Sequence, residues 1–513
     1  MMLSAPLFPV FRISARLQPL LVSAMLLGVA GCGGGGGGEA DAPEPERRTS
    51  LVSPACEGCG AVSANEYSGP GLGVWIHRNA GAVDMDVPVY ITGVAGRGVS
   101  LVFTRDSQMG AAEVAPAAAL GGLRAHGLSS SPRALTAAPV AAPGPGDLRI
   151  WRHNDDSDRA TRLAGYRLAA DGTRVNVWVE EGQAGNAKVS DAVVESLLSA
   201  YASPGAIHDS LTALGGPLWG THVFTGGMLP GGPWPLDIVL LDFKVSGKQP
   251  KAYFWGRNNY LRAVVPDSNE ALAVFLDAPG TYTTARGLIW ARSNLAHEML
   301  HLQNFYRRNV LTEGRDIYPD WLEEMTAMVF EDIVAGRLGD GYNSLRDGRL
   351  PAYLAGNDNC PWLDFGATTA CDSYATTGLF GAFLLRQFGV SWFVDVLHRS
   401  GSDGIKVVEA AMRAVNPKGD FASAFRRFAV SASALVVSAT APADYGFPAR
   451  TDSAWAVSPI EPRDMARYQV IPAALPSVIG AFGSSVLKRQ PIQGVYSDLV
   501  RVPAGVTLSV VVE

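Results

Sequence analysis

The sequence predicts an α+β protein, with a sheet-bearing N-terminal lobe followed by a helical C-terminal lobe and small β-domains on either side. Three observations predict it. Before residue 290, short runs rich in β-branched residues recur, including Val175-Asn176-Val177-Trp178-Val179, Ile238-Val239-Leu240-Leu241 and Leu272-Ala273-Val274-Phe275-Leu276. Runs of that length between turn formers read as strands. After residue 290 the apolar spacing turns helical throughout, and strands followed by helices define α+β rather than alternating α/β. The 513 residues are 47% apolar and 18% charged, which gives core enough for roughly two to four domains.

Taken in order, residues 1–31 read as an address. Arg12 and Arg16 precede the apolar run Leu20-Leu21-Val22-Ser23-Ala24-Met25-Leu26-Leu27, and Val29-Ala30-Gly31-Cys32 follows. A charged region, an apolar region and small residues at the cut make a signal peptide. Val29-Ala30-Gly31-Cys32 resembles a bacterial lipobox, whose cysteine is lipidated. That implies a membrane anchor at Cys32 and export to the cell envelope. Gly33 at the next position, in place of an acidic retention signal, points to the outer membrane. The plainer reading is an ordinary secretion signal. The six glycines Gly33 to Gly38 open a flexible tether over residues 32–60.

Residues 61–107 carry alternating runs such as Val89-Tyr90-Ile91-Thr92 and Val99-Ser100-Leu101-Val102-Phe103, so a small β-domain is expected. Residues 108–146 are rich in Ala, Gly, Ser and Pro and read as a linker, where a pro-segment could also be cut. The main domain spans 147–445. It opens with the strand at Val175 and a helix capped near Ser190, and later helices are expected near 376–398, 403–415 and 419–437. Strands at Val495-Tyr496 and Val506 to Val511 suggest a second β-domain over 446–513.

Four cysteines remain besides Cys32, an even number in an exported chain. Three connectivities are possible, and local pairing of Cys56 with Cys59 and of Cys360 with Cys371 is the simplest. A redox or zinc role for Cys56-x-x-Cys59 finds no surrounding pattern to support it.

The chemistry concentrates in His297-Glu298-Met299-Leu300-His301. Residues at i and i+4 of a helix share a face, so His297 and His301 can meet one metal ion, with Glu298 beside them as a base. Leu295, Met299, Leu302 and Phe305 give the helix a buried side, and Ser293 is the expected N-cap. Two histidines on a buried helix can also be satisfied by core hydrogen bonds. A catalytic zinc needs a third ligand, and Pro319-Asp320-Trp321-Leu322-Glu323-Glu324 supplies a candidate. Asp320 reads as N-cap and Glu323 as its capping-box partner, which leaves Glu324 as the ligand. Ala327, one turn on, permits a close helix approach.

His297-Glu298-x-x-His301 followed by Trp321-Leu322-Glu323-Glu324 resembles the gluzincin metallopeptidases, and most closely the hyicolysin family. Tyr253-Phe254-Trp255-Gly256-Arg257, Ser268-Asn269-Glu270, and Ser373-Tyr374-Ala375 before Leu379-Phe380-Gly381-Ala382 extend the likeness over roughly residues 165–440. The resemblance implies a zinc cofactor held by His297, His301 and Glu324. It also implies Glu298 as general base, Tyr374 as donor to the oxyanion, and residues 271–277 as an edge strand that pairs with substrate; the plainer readings are a Tyr374 that packs near the helix N-terminus and a 271–277 strand paired inside the sheet. His398 is the weaker rival to Tyr374. The gluzincin glycine after the ligand is Met325 here, a departure that bears on helix packing.

Two classes of function follow. One is a zinc endopeptidase of the cell envelope acting on protein or peptide substrates. The other is a surface lipoprotein that uses the same fold for binding or adhesion, and retention of Glu298 favours the enzyme. With a net charge of −6 and no basic patch, nucleic acid is not an expected partner. The sequence gives no indication of oligomeric state.

Overall fold

The computed structural model describes residues 49–107, 142–223, 226–244, 251–365 and 371–513. The signal peptide, Cys32, and most of the linker lie outside the described residues.

The first six strands are β1 (Ser53–Pro54), β2 (Ala61–Ser63), β3 (Glu66–Tyr67), β4 (Gly73–Arg78), β5 (Met85–Thr92) and β6 (Val99–Thr104). In β5 burial alternates, with Val87, Val89 and Ile91 inside, as a strand with one wet face requires. In β6 all six residues are buried, so both of its faces are covered.

A second sheet has β7 (Leu148–Arg152), β8 (Asp158–Leu168), β9 (Arg174–Glu180), β10 (Leu236–Leu241), β11 (Ala252–Phe254) and β12 (Leu272–Asp277), in the order β11-β12-β10-β9-β8-β7. β9, β10 and β12 run parallel, with Val239 opposite both Trp178 and Phe275. Their uniform burial explains the continuous apolar runs. Helices α1 (Asp191–Ala202) and α2 (Ile207–Gly215) follow β9, and Ser190 caps α1 by accepting the Val193 N–H. Of the two readings of residues 271–277, the interior one holds, since β12 is paired on both sides. The edge strand is the three-residue β11, antiparallel to β12. Its brevity hid it in the sequence.

The helical part comprises α3 (Ala278–Tyr282), α4 (Gly287–Phe305), α5 (Asp320–Leu338), α6 (Leu350–Ala352), α7 (Ser373–Phe388), α8 (Val390–His398), α9 (Gly404–Val415) and α10 (Phe421–Ser433). The single helix expected over 376–398 breaks at Gly389, whose φ is 83°. α4 starts six residues before the expected cap, so Ser293 is a buried interior residue. Its hydroxyl donates to Glu331 Oε2 at 2.6 Å, which removes its need for a capping role. In α5 the cap is Pro319 and Asp320 is already helical, so the capping box does not form. Met325, in place of the usual glycine, is accommodated by α7. A Cβ on Gly381 would lie 2.8 Å from Met325 Cγ and 2.6 Å from Val329 Cγ2, so only glycine lets the helices approach this closely. Arg386 of α7 pairs with Asp332 of α5, both fully buried, and fixes the rotation of α5. Breaking such a pair from one side typically costs about 3–5 kcal/mol.

The remaining strands are β13 (Arg450–Asp452), β14 (Trp455–Val457), β15 (Ser484–Arg489), β16 (Val495–Val502) and β17 (Thr507–Val512). β17 lies between β4 and β6, with Val510 opposite Trp75 and Leu101, and β16 pairs along β5. The two β-domains expected at 61–107 and 446–513 are therefore one sandwich, with sheets β1-β4-β17-β6-β15 and β16-β5-β3-β2. Strand pairing is non-local, and separation along the chain conceals it. The tether also ends earlier than expected, because Ser53–Pro54 pairs with β4 and Val52 is buried. The outer face of β6 and β17 packs on α10 through Val102, Val511, Ala429 and Val430, joining the sandwich to the helices.

Candidate metal centre

α4 and α5 cross so that His297, His301 and Glu324 converge. One ligand atom from each lies within 4.8 Å of the others, an arrangement that could hold a metal ion. Glu324 Oε2 is 3.1 Å from His297 Nε2 and 3.7 Å from His301 Nε2. His297 and Glu324 are buried and His301 is nearly so.

The histidines' other nitrogens are also held. His297 Nδ1 donates to Glu331 Oε1 at 2.7 Å, and His301 Nδ1 donates to Glu323 Oε1 at 3.0 Å. A carboxylate on the far nitrogen fixes the ring and turns Nε2 towards the shared point. Asn304 Nδ2 donates to Glu323 in turn. Glu323, read in the sequence as a cap residue, is thus a histidine partner. Glu331 was not anticipated. Its signal was present, since it follows Glu324 by two turns on the same helical face and Ser293 precedes His297 by one turn.

Glu298 points beside the triad, and its Oε2 accepts the Phe254 N–H of β11 at 2.8 Å. Tyr374, at the start of α7, reaches Glu324 Oε1 with its hydroxyl at 3.3 Å. Asp372 caps that helix by accepting the Tyr374 N–H, and a disulfide ties Cys371, just before the cap, to Cys360. Phe365 packs edge-on against the tyrosine ring at 4.6 Å. His398 is not part of this cluster, and its Nε2 pairs with the Leu214 carbonyl at 3.1 Å. The second disulfide joins Cys56 to Cys59, beside β4.

The electrostatics follow from burial and these contacts. Burial alone would lower His297, but its bonds to Glu324 and Glu331 outweigh it and raise the imidazole to about 9. His301 is likewise raised well above its ordinary value, against burial, by Glu323 and Glu324. Burial would raise Glu324, yet the two histidines hold it well below the carboxylate range. Glu298 moves upward, chiefly through burial. Four carboxylates around two imidazoles make a strongly cation-attracting pocket.

The donor set fits zinc. Two imidazole nitrogens and one carboxylate oxygen are a known catalytic set, and the second-nitrogen carboxylates are the usual support for it. A helix carrying His-Glu-x-x-His, crossed by a glutamate-bearing helix and set against a mixed sheet, defines a metallopeptidase. The chain belongs to the Peptidase M30 family, whose model matches residues 155–513. Residues 54–118 match a second family, described as a domain of unknown function (DUF8571). No curated protein matches the chain.

Proposed function

We propose that this metallopeptidase is a zinc-dependent endopeptidase of the bacterial cell envelope, hyicolysin-like in its site and anchored through Cys32. The observation that carries the proposal is the Glu298 carboxylate beside the His297–His301–Glu324 cluster and bonded to the edge strand. His297, His301 and Glu324 would hold the ion. When bound, zinc supplies a Lewis acid for the scissile carbonyl and a water acidified towards neutrality. Glu298, buried and raised, is suited to take that water's proton on a carboxylate oxygen and return it to the leaving amine. The Tyr374 hydroxyl, 3.3 Å from Glu324 Oε1, would donate to the oxyanion.

The substrate platform is β11. The Lys251 carbonyl accepts the Asp277 N–H, so alternation turns the backbone groups of Tyr253 towards β12. Those of Ala252 and Phe254 face the free edge, and the Phe254 N–H already meets Glu298 there. An extended peptide pairing with this edge would bring its scissile bond beside the base, with affinity from main-chain bonds.

The lipobox at Cys32 and two disulfide-bonded pairs support an extracytoplasmic location. A purely adhesive role leaves Glu298 without a reason to be buried at this cost. The test is caseinolysis by the purified mature protein, expected to be abolished by chelator and by Glu298→Gln while that variant keeps its metal. An active Glu298→Gln protein would remove the base from the mechanism. For the anchor, Cys32→Ala should leave the membrane fraction, and its retention there would refute lipidation.

A further inference from the structure

Arg349 closes the turn Leu345–Arg349 that leads into α6. Its guanidinium lies over the Tyr374 ring, 4.9 Å from the centroid. Its ion-pair partner is Asp372, at 3.9 Å, too far for a hydrogen bond, and its charge is also felt by the buried Glu331. Asp372 is also engaged elsewhere, since its Oδ1 accepts the Tyr374 N–H. Arg346, one turn earlier, is by contrast firmly held on Asp347 at 2.7 Å. Arg349 is therefore a weakly paired cation, 31% exposed, one ring away from a hydroxyl that touches Glu324. Stacking on an aromatic face pre-orients the guanidinium and leaves its edge free for two parallel bonds to a carboxylate.

The surroundings make that edge consequential. Glu298, Glu323, Glu324 and Glu331 all lie at the metal cluster, so an acidic group entering the cleft meets repulsion unless a cation receives it. Arg349 stands on the Tyr374 side of the cluster and is placed to do this.

We propose that Arg349 is a specificity-determining residue that receives a substrate carboxylate next to the scissile bond, so that the enzyme prefers peptides acidic at that position. The proposal rests on the endopeptidase reading above. On that reading the carboxylate is an internal Asp or Glu side chain; preference for a free C-terminus at the same point would make the enzyme a carboxypeptidase, and the experiment separates the two.

Three matched peptides serve: an acidic residue flanking the bond with an amidated C-terminus, the neutral isostere with an amidated C-terminus, and the neutral isostere ending in a free carboxylate at that point. They are assayed on the zinc-loaded full chain, with metal content recorded for each variant. Wild type should prefer one carboxylate-bearing peptide over the neutral amide, and the preferred one identifies the source. Arg349→Ala should lower kcat/KM for that peptide about 10- to 100-fold, the scale of a charge-assisted bond, and change the neutral amide by no more than about threefold. Arg349→Lys should recover part of the loss. Should the alanine variant lose zinc, Arg349→Gln gives the same comparison with length retained. Equal loss on all three peptides, or no loss on any, overturns the assignment. A zinc-loaded wild type that cleaves none of them overturns the endopeptidase reading and this inference with it.

Discussion

His297 is braced by Glu331, Nδ1 to Oε1 at 2.7 Å, closer than it approaches Glu324, although Glu331 is no ligand candidate itself. It sits two turns beyond Glu324 on α5, so one helix supplies both the carboxylate of the candidate metal site and the brace for His297. Ser293, one turn before His297, donates to the other oxygen of Glu331. The brace is therefore itself held.

Removing that brace should weaken the metal without removing it. Glu331→Gln is expected to lower zinc affinity about 10- to 100-fold, and Glu323→Gln to act in the same direction through His301. Glu324→Ala should lose the metal outright. Chelator competition gives the affinities. Full zinc retention in Glu324→Ala, with loss in Glu323→Ala, would reverse the assignment of the two glutamates.

Tyr374 should affect the rate and not the metal. Tyr374→Phe is expected to reduce kcat by about 10²–10³, the usual effect of a lost oxyanion donor, with zinc content and KM little changed. His398→Ala is the comparison, since that ring pairs with the Leu214 carbonyl. A large kcat loss in His398→Ala beside a normal Tyr374→Phe would transfer the role.

Metal binding should release protons. His297 is raised to about 9 and His301 well above its ordinary value, so both are protonated near pH 7 without metal. Ligation requires neutral imidazole, so about two protons leave per zinc, and affinity falls as pH falls. Calorimetry in buffers of different ionisation enthalpy measures the number. The same shift has a sign for stability. His297, raised on folding, stabilises the metal-free protein fully below its ordinary pKa of about 6.5, and that contribution is lost as pH rises through about 9. A pH-independent zinc affinity between 6 and 8 would contradict the protonation of both rings.

The edge strand can be tested at one peptide bond. Phe254→Pro removes the N–H that Glu298 accepts and blocks pairing at the outer edge of β11. Cleavage should fall strongly while zinc stays bound, since no ligand lies on β11. Val274→Pro should instead unfold the domain, because Val274 pairs with both Ile238 and Phe254 inside the sheet. Normal turnover by Phe254→Pro would rule β11 out as the platform.

Local patterns carried much of this protein in the sequence alone. The spacing of His297 and His301, Glu298 between them, the Ser190 cap and the apolar runs of β9, β10 and β12 depend on residues within a turn or a strand of each other, where periodicity is legible. The tertiary structure decided what distance along the chain hides. β17 enters between β4 and β6 because its run, rich in Leu and Val and buried at every position, needs partners on both edges and cover on both faces, and these lie some four hundred residues away. Ser293 and Glu323 resemble cap residues by type and position, but a cap is one of several ways to satisfy a short polar group. A facing helix offered Glu331 to the one and His301 to the other. β11 is too short to have a period, and only its pairing with β12 makes it a strand. Ligand types were thus set by local sequence, while the second nitrogen of each histidine, the edge beside the base and the cation over Tyr374 were set by which helices and strands came to face one another.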